Sequence, residues 1–170
     1  KMEREEKYEY WFANIKGLTG RNKRQIREKI QSVEAFYHMK EDERKNYVEE
    51  EASTYIRKSI EEWKVDEQYD LLKEKKIHFL PFFHEEYPDM LKNLDNPPYA
   101  IYLKGKMIRK DTLKVAIVGA RKCSPYGESM AIRFAERLAE QGIEIISGLA
   151  RGVDGAGQRG ALNVGGCSYG

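Results

Sequence analysis

Cysteine is nearly absent from this sequence. Cys123 and Cys167 are the only two in 170 residues, too few for a disulfide framework, so a reducing, cytoplasmic setting is expected. Histidine is almost as scarce: His38, His78 and His84 are scattered without metal-ligand spacing, and no metal is expected. No apolar run approaches the roughly 18 residues of a membrane span. The opening Lys-Met-Glu-Arg-Glu-Glu carries charge with no apolar stretch behind it, so no secretory signal is expected in the residues given. Excess charge of one sign is lacking too. Thirty Lys and Arg stand against 28 Asp and Glu, a net +2, which excludes a nucleic-acid binder working by bulk charge but leaves room for a local basic patch.

What is present is unevenly spread. Residues 1–76 hold 18 basic and 18 acidic side chains and only two glycines, Gly17 and Gly20, a composition that reads as a small helical bundle. Val48, Ala52, Tyr55, Ile56, Ser59 and Trp63 recur at helical spacing and predict an amphipathic helix of about five turns. A shorter helix is expected over 21–31, with Ile26 and Ile30 one turn apart. Residues 77–112 read as a connector: Ile77–Pro81 as a strand, a short helix started by Pro88, the stiff turn Asn96-Pro97-Pro98, and a strand at Tyr99–Leu103.

From 113 to 170 the pattern is α/β. Lys114–Val118 reads as a strand buried on both faces of a parallel sheet. Ser124 caps a following helix with Pro125 in its first turn, lined by Met130, Phe134 and Leu138 and stopped at Gly142. A second strand, Ile143–Ile146, leads into the loop Ser147–Gly152 and a last helix that Asp154 caps. Strand, helix, strand, helix predicts a right-handed βαβ unit and so an open, parallel sheet. The last six residues, Gly165–Gly170, read as a loop. So short a sheet leaves edges uncovered, and the expectation is that the native chain is longer.

Both glycine-bearing loops follow the carboxyl ends of strands, where open α/β sheets bind ligands. A helix N-terminus there favours an anion. Gly119 permits close backbone approach, Arg121 offers a planar fork for phosphate oxygens, and Lys122 adds a point charge. Opposite them stand the Ser147 hydroxyl, the amides of Gly148 and Gly152, and Arg151. The expectation is a two-sided phosphate clamp. The plainer alternative makes Gly119 and Gly148 mere strand-to-helix turns. A dinucleotide fingerprint is missing, since an arginine follows Gly119-Ala120, and Gly105-Lys106-Met107 is no Walker loop, so no cofactor is expected. Lys104, Lys106, Arg109, Lys110, Lys114, Arg121 and Lys122, against Asp111 alone, suggest a basic track for nucleic acid, with Tyr102 and Tyr126 as stacking faces or as packing. Cys123 near a helix start lacks a general base and reads as a small loop residue. Gly17–Gly20 before Arg21, Lys23 and Arg24 is weakly like a phosphate-binding hairpin turn, a plain interhelical turn being preferred.

Four segments resemble the bacterial DNA-processing protein A (DprA, or Smf) family. They are Tyr10-Trp11 through Gly20; Glu86–Leu91 with Asn96-Pro97-Pro98 and Tyr102–Gly105; Val115–Arg121 with Ser124–Gly127; and Ile146–Asp154 with Arg159–Leu162. The resemblance implies a sterile-alpha-motif-like (SAM-like) helical domain followed by an extended Rossmann-like domain. It implies single-stranded DNA binding in the pocket of the two glycine loops and loading of the recombinase RecA during natural transformation, by a binding protein rather than an enzyme. The DNA-phosphate contacts it implies are Gly119, Arg121, Ser147 and Gly148, with Lys122, Arg151 and Gly152 secondary. Gln158 stands where the family commonly has histidine, and Gly155 and Gly157 weaken the last helix by about 1 kcal/mol each relative to alanine. The family's Rossmann-like domain continues well past this chain, carrying further basic contacts and the homodimer surface, so dimerisation is not expected of these 170 residues. The rival reading is a nucleotide phosphoribohydrolase of the lysine-decarboxylase-like group, which would need a Pro-Gly-Gly-x-Gly-Thr loop that these residues lack.

Overall fold

Aromatic residues at helical spacing build the first half of the molecule. The computed structural model describes residues 2–170, and the chain divides between Ile108 and Arg109 into two units. In the first, helix α1 (Met2–Ala13) buries Tyr8, Trp11 and Phe12 against Val33 and Phe36 of α3 (Val33–His38). Helix α2 (Gly20–Lys29) begins at Thr19, whose hydroxyl accepts from the Asn22 amide while Asn22 accepts from the Thr19 amide, a reciprocal cap. Ile26 and Ile30, one turn apart as their spacing demands, enter the same core. After α4 (Glu41–Arg44), α5 spans Glu50–Glu62 and buries Ile56. It is shorter than the stripe from Val48 to Trp63, because extended Glu49 caps one end and Trp63 the other. Helix α6 (Val65–Glu74) leads into strand β1 (Ile77–Pro81), which pairs antiparallel with β2 (Ala100–Lys104), Phe79 opposite Tyr102. Between them lies α7 (Asp89–Lys92), entered from Pro88 as its cap.

Glu9, Lys23, Arg44 and Ser53 are polar residues buried in this unit. Glu9 accepts hydrogen bonds from the Tyr99 hydroxyl and from Arg27 Nε, the latter at 3.1 Å; burial raises its pKa and these bonds oppose the rise. Lys23 donates to the Ala13 carbonyl at the end of α1, and burial pushes its ammonium down to about 8. The Gly17–Gly20 segment is an interhelical turn. A side chain at Gly17 would strike the Tyr55 ring, one at Gly20 would meet the Pro97 carbonyl at 2.9 Å, and Arg24 donates to that same carbonyl.

The second unit holds a three-stranded parallel sheet in the order β3 (Lys114–Ala116), β4 (Glu144–Ile146), β5 (Ser168–Tyr169), with α8 (Pro125–Glu140) and α9 (Val153–Asn163) as the crossovers. The mixed α/β expectation holds: a helical region, then a parallel sheet. Three local expectations are corrected. The final residues are not all loop, because Ser168 and Tyr169 pair with Ile145 and Ile146. The first strand stops at Ala116 and is not buried on both faces. Among the described residues β3 lies at the sheet edge, and Val118 is 65% exposed. Helix α8 buries Ala131 and Ala135, while Phe134 is left exposed.

The glycines of α9 explain that choice of face. A Cβ on Gly160 would lie 2.4 Å from the Ile132 carbonyl oxygen and 2.8 Å from Ala135 Cβ, and one on Gly157 would lie 2.8 Å from Ile117 Cγ2. The helices meet through small residues at Gly160, which sets the interhelical distance, while Gly157, which looks weakening in sequence, lets α9 close on Ile117. Phe134, Val115, Ile117, Val118, Leu138 and Val153 then line an open apolar groove beside β3.

Under the amino-terminal ends of the strands, Glu144 is 1% exposed and accepts a long hydrogen bond, 3.4 Å, from the Tyr169 hydroxyl, and three closer groups gather on it. Arg109 Nε and Thr112 Oγ1 donate to it at 2.6 Å each, and Lys114 Nζ lies 3.3 Å away. Burial alone would raise its pKa; the three partners together outweigh that and hold it below the usual carboxylate range.

Candidate nucleic-acid interface

Two strand-to-helix loops, 117–124 after β3 and 147–152 after β4, emerge at the carboxyl end of the sheet. They touch. Gly152 (φ +85°) faces the first loop so closely that a Cβ there would lie 2.2 Å from the Ala120 carbonyl oxygen and 2.7 Å from that of Arg121. The Val153 amide donates to the Ala120 carbonyl at 3.2 Å, and Gly119 packs on the Val153 side chain. Only glycine fits at 152, for both its backbone angles and its contacts.

The residue that joins these loops is Asp154, read from sequence as a helix cap. Its carboxylate, 6% exposed, accepts from the Gly119 amide at 3.1 Å and from the Gly148 amide at 3.0 Å. Of the two amides expected to meet phosphate, that of Gly148 already has an anionic acceptor, as does the backbone at Gly119, where close approach is expected. The start of α8 is similarly occupied. Ser124 accepts from Gly127 through its hydroxyl and from Glu128 through its carbonyl, and Pro125 has no N–H. Ser147 is buried, and its hydroxyl accepts from the Leu149 amide at 3.2 Å, so it fixes the turn. Leu149 sits in the left-handed region at φ +53° with its side chain exposed, a conformation costing about 1–2 kcal/mol that nothing in the local sequence announces.

The cations are what remain open. Arg121, Lys122 and Arg151 are exposed, and among the described residues no side-chain hydrogen bond or ion pair engages them. Within the second unit the longer basic track does not form one surface, because Arg109 and Lys114 are drawn onto Glu144 at the opposite end of the strands; Lys104 and Lys106 belong to the first unit. Tyr102 packs with Tyr10 and Phe79 and hydrogen-bonds Asn14, so packing accounts for it; Tyr126, in the first turn of α8, is exposed. Cys123 is half-buried just ahead of the Ser124 cap, as a small loop residue.

The family model for DNA recombination-mediator protein A matches residues 78–170, more than half of the chain. The chain belongs to this family. The match to DNA recombination-mediator protein A takes in both glycine loops, all of α8 and α9, and β2 and all but the first residue of β1 in the first unit. Curated relatives include Protein Smf of Escherichia coli (strain K12), 38% identical over 97 residues, which is 57% of this chain and 26% of that protein. DNA processing protein DprA of Bacillus subtilis (strain 168) is 30% identical over 99 residues, 58% of this chain and 33% of that protein. The matched stretch thus spans about a quarter to a third of these relatives. The X-ray structure of DNA processing protein A (DprA) from Streptococcus pneumoniae superposes with a TM-score of 0.71 at 24% identity, covering 95% of this chain and 56% of that one. The fold is shared: a helical region followed by a parallel sheet.

Proposed function

We propose that this chain binds single-stranded DNA across the two loops at the carboxyl edge of its parallel sheet, and that it acts as a binding protein that helps load the recombinase RecA during DNA uptake and recombination. The observation that carries the reading is the set of three exposed, unengaged cations, Arg121, Lys122 and Arg151, on loops in mutual contact. Family membership and relatives named for DNA processing support it. The arginines offer planar forks to phosphate oxygens and Lys122 a point charge. Gly119, Gly148 and Gly152 serve by lacking side chains, which lets the two loops close on Val153, Asp154 and each other, and Ser147 serves by holding its turn. Backbone contacts of this kind do not discriminate among bases, and exposed Tyr126 offers any base a stacking face.

Titration of labelled oligo-dT at several salt concentrations tests this. On single strands each phosphate contact contributes about 0.7 to the slope of log K against log salt. Arg121→Ala is expected to weaken binding and reduce that slope by about 0.7; unchanged affinity and slope would remove Arg121 from the mechanism. For the second step, RecA assembly on the same oligonucleotide should accelerate when the chain is added. Incubation with nucleoside monophosphates should release no free base.

A further inference from the structure

Asp154 is a buried anion at the centre of a surface that the proposed function makes an anion site. From the first turn of α9 it reaches amides 35 and 6 positions back in the chain, one in each loop, and spends one carboxylate oxygen on each. The neighbouring Val153 amide makes a second tie to the first loop. Arg121 and Lys122 project from one of the loops so joined, and Arg151 from the other.

We propose that Asp154 is the positioning residue of the DNA site, holding the two cation-bearing loops in one arrangement while contacting no DNA itself. The inference rests on the DNA-binding reading and makes it sharper, because charge and clamp demand opposite outcomes. As a mere nearby charge, Asp154 repels a polyanion, and neutralising it must tighten binding. As a clamp, it must be kept. Asp154→Asn retains the shape and one carbonyl acceptor but turns an NH2 donor toward the second amide, which loses its partner. Asp154→Glu retains the charge but displaces it by a methylene group.

Two measurements on the whole chain decide the matter. In the isotopically labelled native protein, the Gly119 and Gly148 amide nitrogens should both show scalar coupling through the hydrogen bond to the Asp154 carboxyl carbon, and both should exchange slowly with solvent. Lack of coupling at either overturns the clamp. In oligo-dT titrations, Asp154→Asn and Asp154→Glu should each bind about tenfold more weakly, the order of a lost hydrogen bond to a charged group, with the salt slope of the native chain retained because the cations are still there. Equal or tighter binding by Asp154→Asn, or native affinity in Asp154→Glu, refutes the inference while leaving the DNA reading intact. Should Asp154→Asn fail to fold, Asp154→Glu and the native couplings decide between clamp and charge. If the native chain binds no oligonucleotide, the DNA reading fails, and the clamp is judged on the amides: faster exchange at Gly119 or Gly148 in a folded variant supports it, unchanged exchange overturns it.

Discussion

Replacing Gly152 by alanine tests the contact between the two loops. The new Cβ would lie 2.2 Å from the Ala120 carbonyl oxygen and 2.7 Å from that of Arg121, and both are backbone atoms with no rotamer to escape into. Overpacking of this kind costs about 1–3 kcal/mol. The backbone angles, φ +85° and ψ −130°, add about 1–3 kcal/mol for any residue with a side chain. Gly165 supplies the control. It has φ +72°, but a Cβ there would meet nothing within 4 Å, so alanine incurs only the conformational cost, about 1 kcal/mol. For a unit of this size 1 kcal/mol moves the melting temperature by about 4–8 °C. Gly165→Ala should therefore lower the second unit's transition by that amount, and Gly152→Ala by about 10 °C or more, with loss of oligo-dT binding. The readouts separate the units: both tryptophans, Trp11 and Trp63, lie in the first, so their fluorescence follows that unit while far-ultraviolet dichroism follows both. If Gly152→Ala melts within about 3 °C of Gly165→Ala and binds DNA normally, the loops are not in the contact described.

Three further outcomes are expected. Gly160→Ala should destabilise the second unit by about 1–2 kcal/mol in denaturant titration, despite a gain near 1 kcal/mol in helix propensity, because the new methyl group meets the Ile132 carbonyl. The first unit should gain stability as pH rises from about 8 toward 10, since unfolded Lys23 holds a proton that buried Lys23 has released; in Lys23→Met, tryptophan-monitored denaturation should lose that rise. Glu144, with its pKa lowered, contributes stability that is present above the ordinary carboxylate range and lost as pH falls through its folded value. Glu144→Gln should weaken the second unit by about 1–3 kcal/mol at neutral pH and flatten its acid transition.

The sequence made some features plain and hid others, and range along the chain separates them. The Ser124 cap with Pro125, the helix carrying Ile26, and the strands at 77–81 and near 100–104 are local events, decided within a few residues. The two loops and their cations were legible for the same reason. What bound them was not, since the Gly119–Asp154 bond joins positions 35 apart and an aspartate opening a helix reads as its cap. The basic track misled similarly: a linear run of lysines and arginines does not disclose that Arg109 and Lys114 turn toward Glu144. Strand β5, two residues with one hydroxyl and one phenol, has no apolar run to reveal it. The apolar run at 115–118 over-promised burial, because burial depends on what covers a strand.

The bond between Glu9 and Tyr99 has a consequence for synthesis on the ribosome. Its partners are 90 positions apart, and the Tyr99 ring also packs edge-on against Phe12 in the central apolar cluster. Helix α1 therefore waits with an unsealed carboxylate and an exposed aromatic face until the 90 positions from Glu9 to Tyr99 have been made and Tyr99 has left the exit tunnel. During that interval, protection of the nascent polypeptide falls to whatever holds apolar surface out of aggregation.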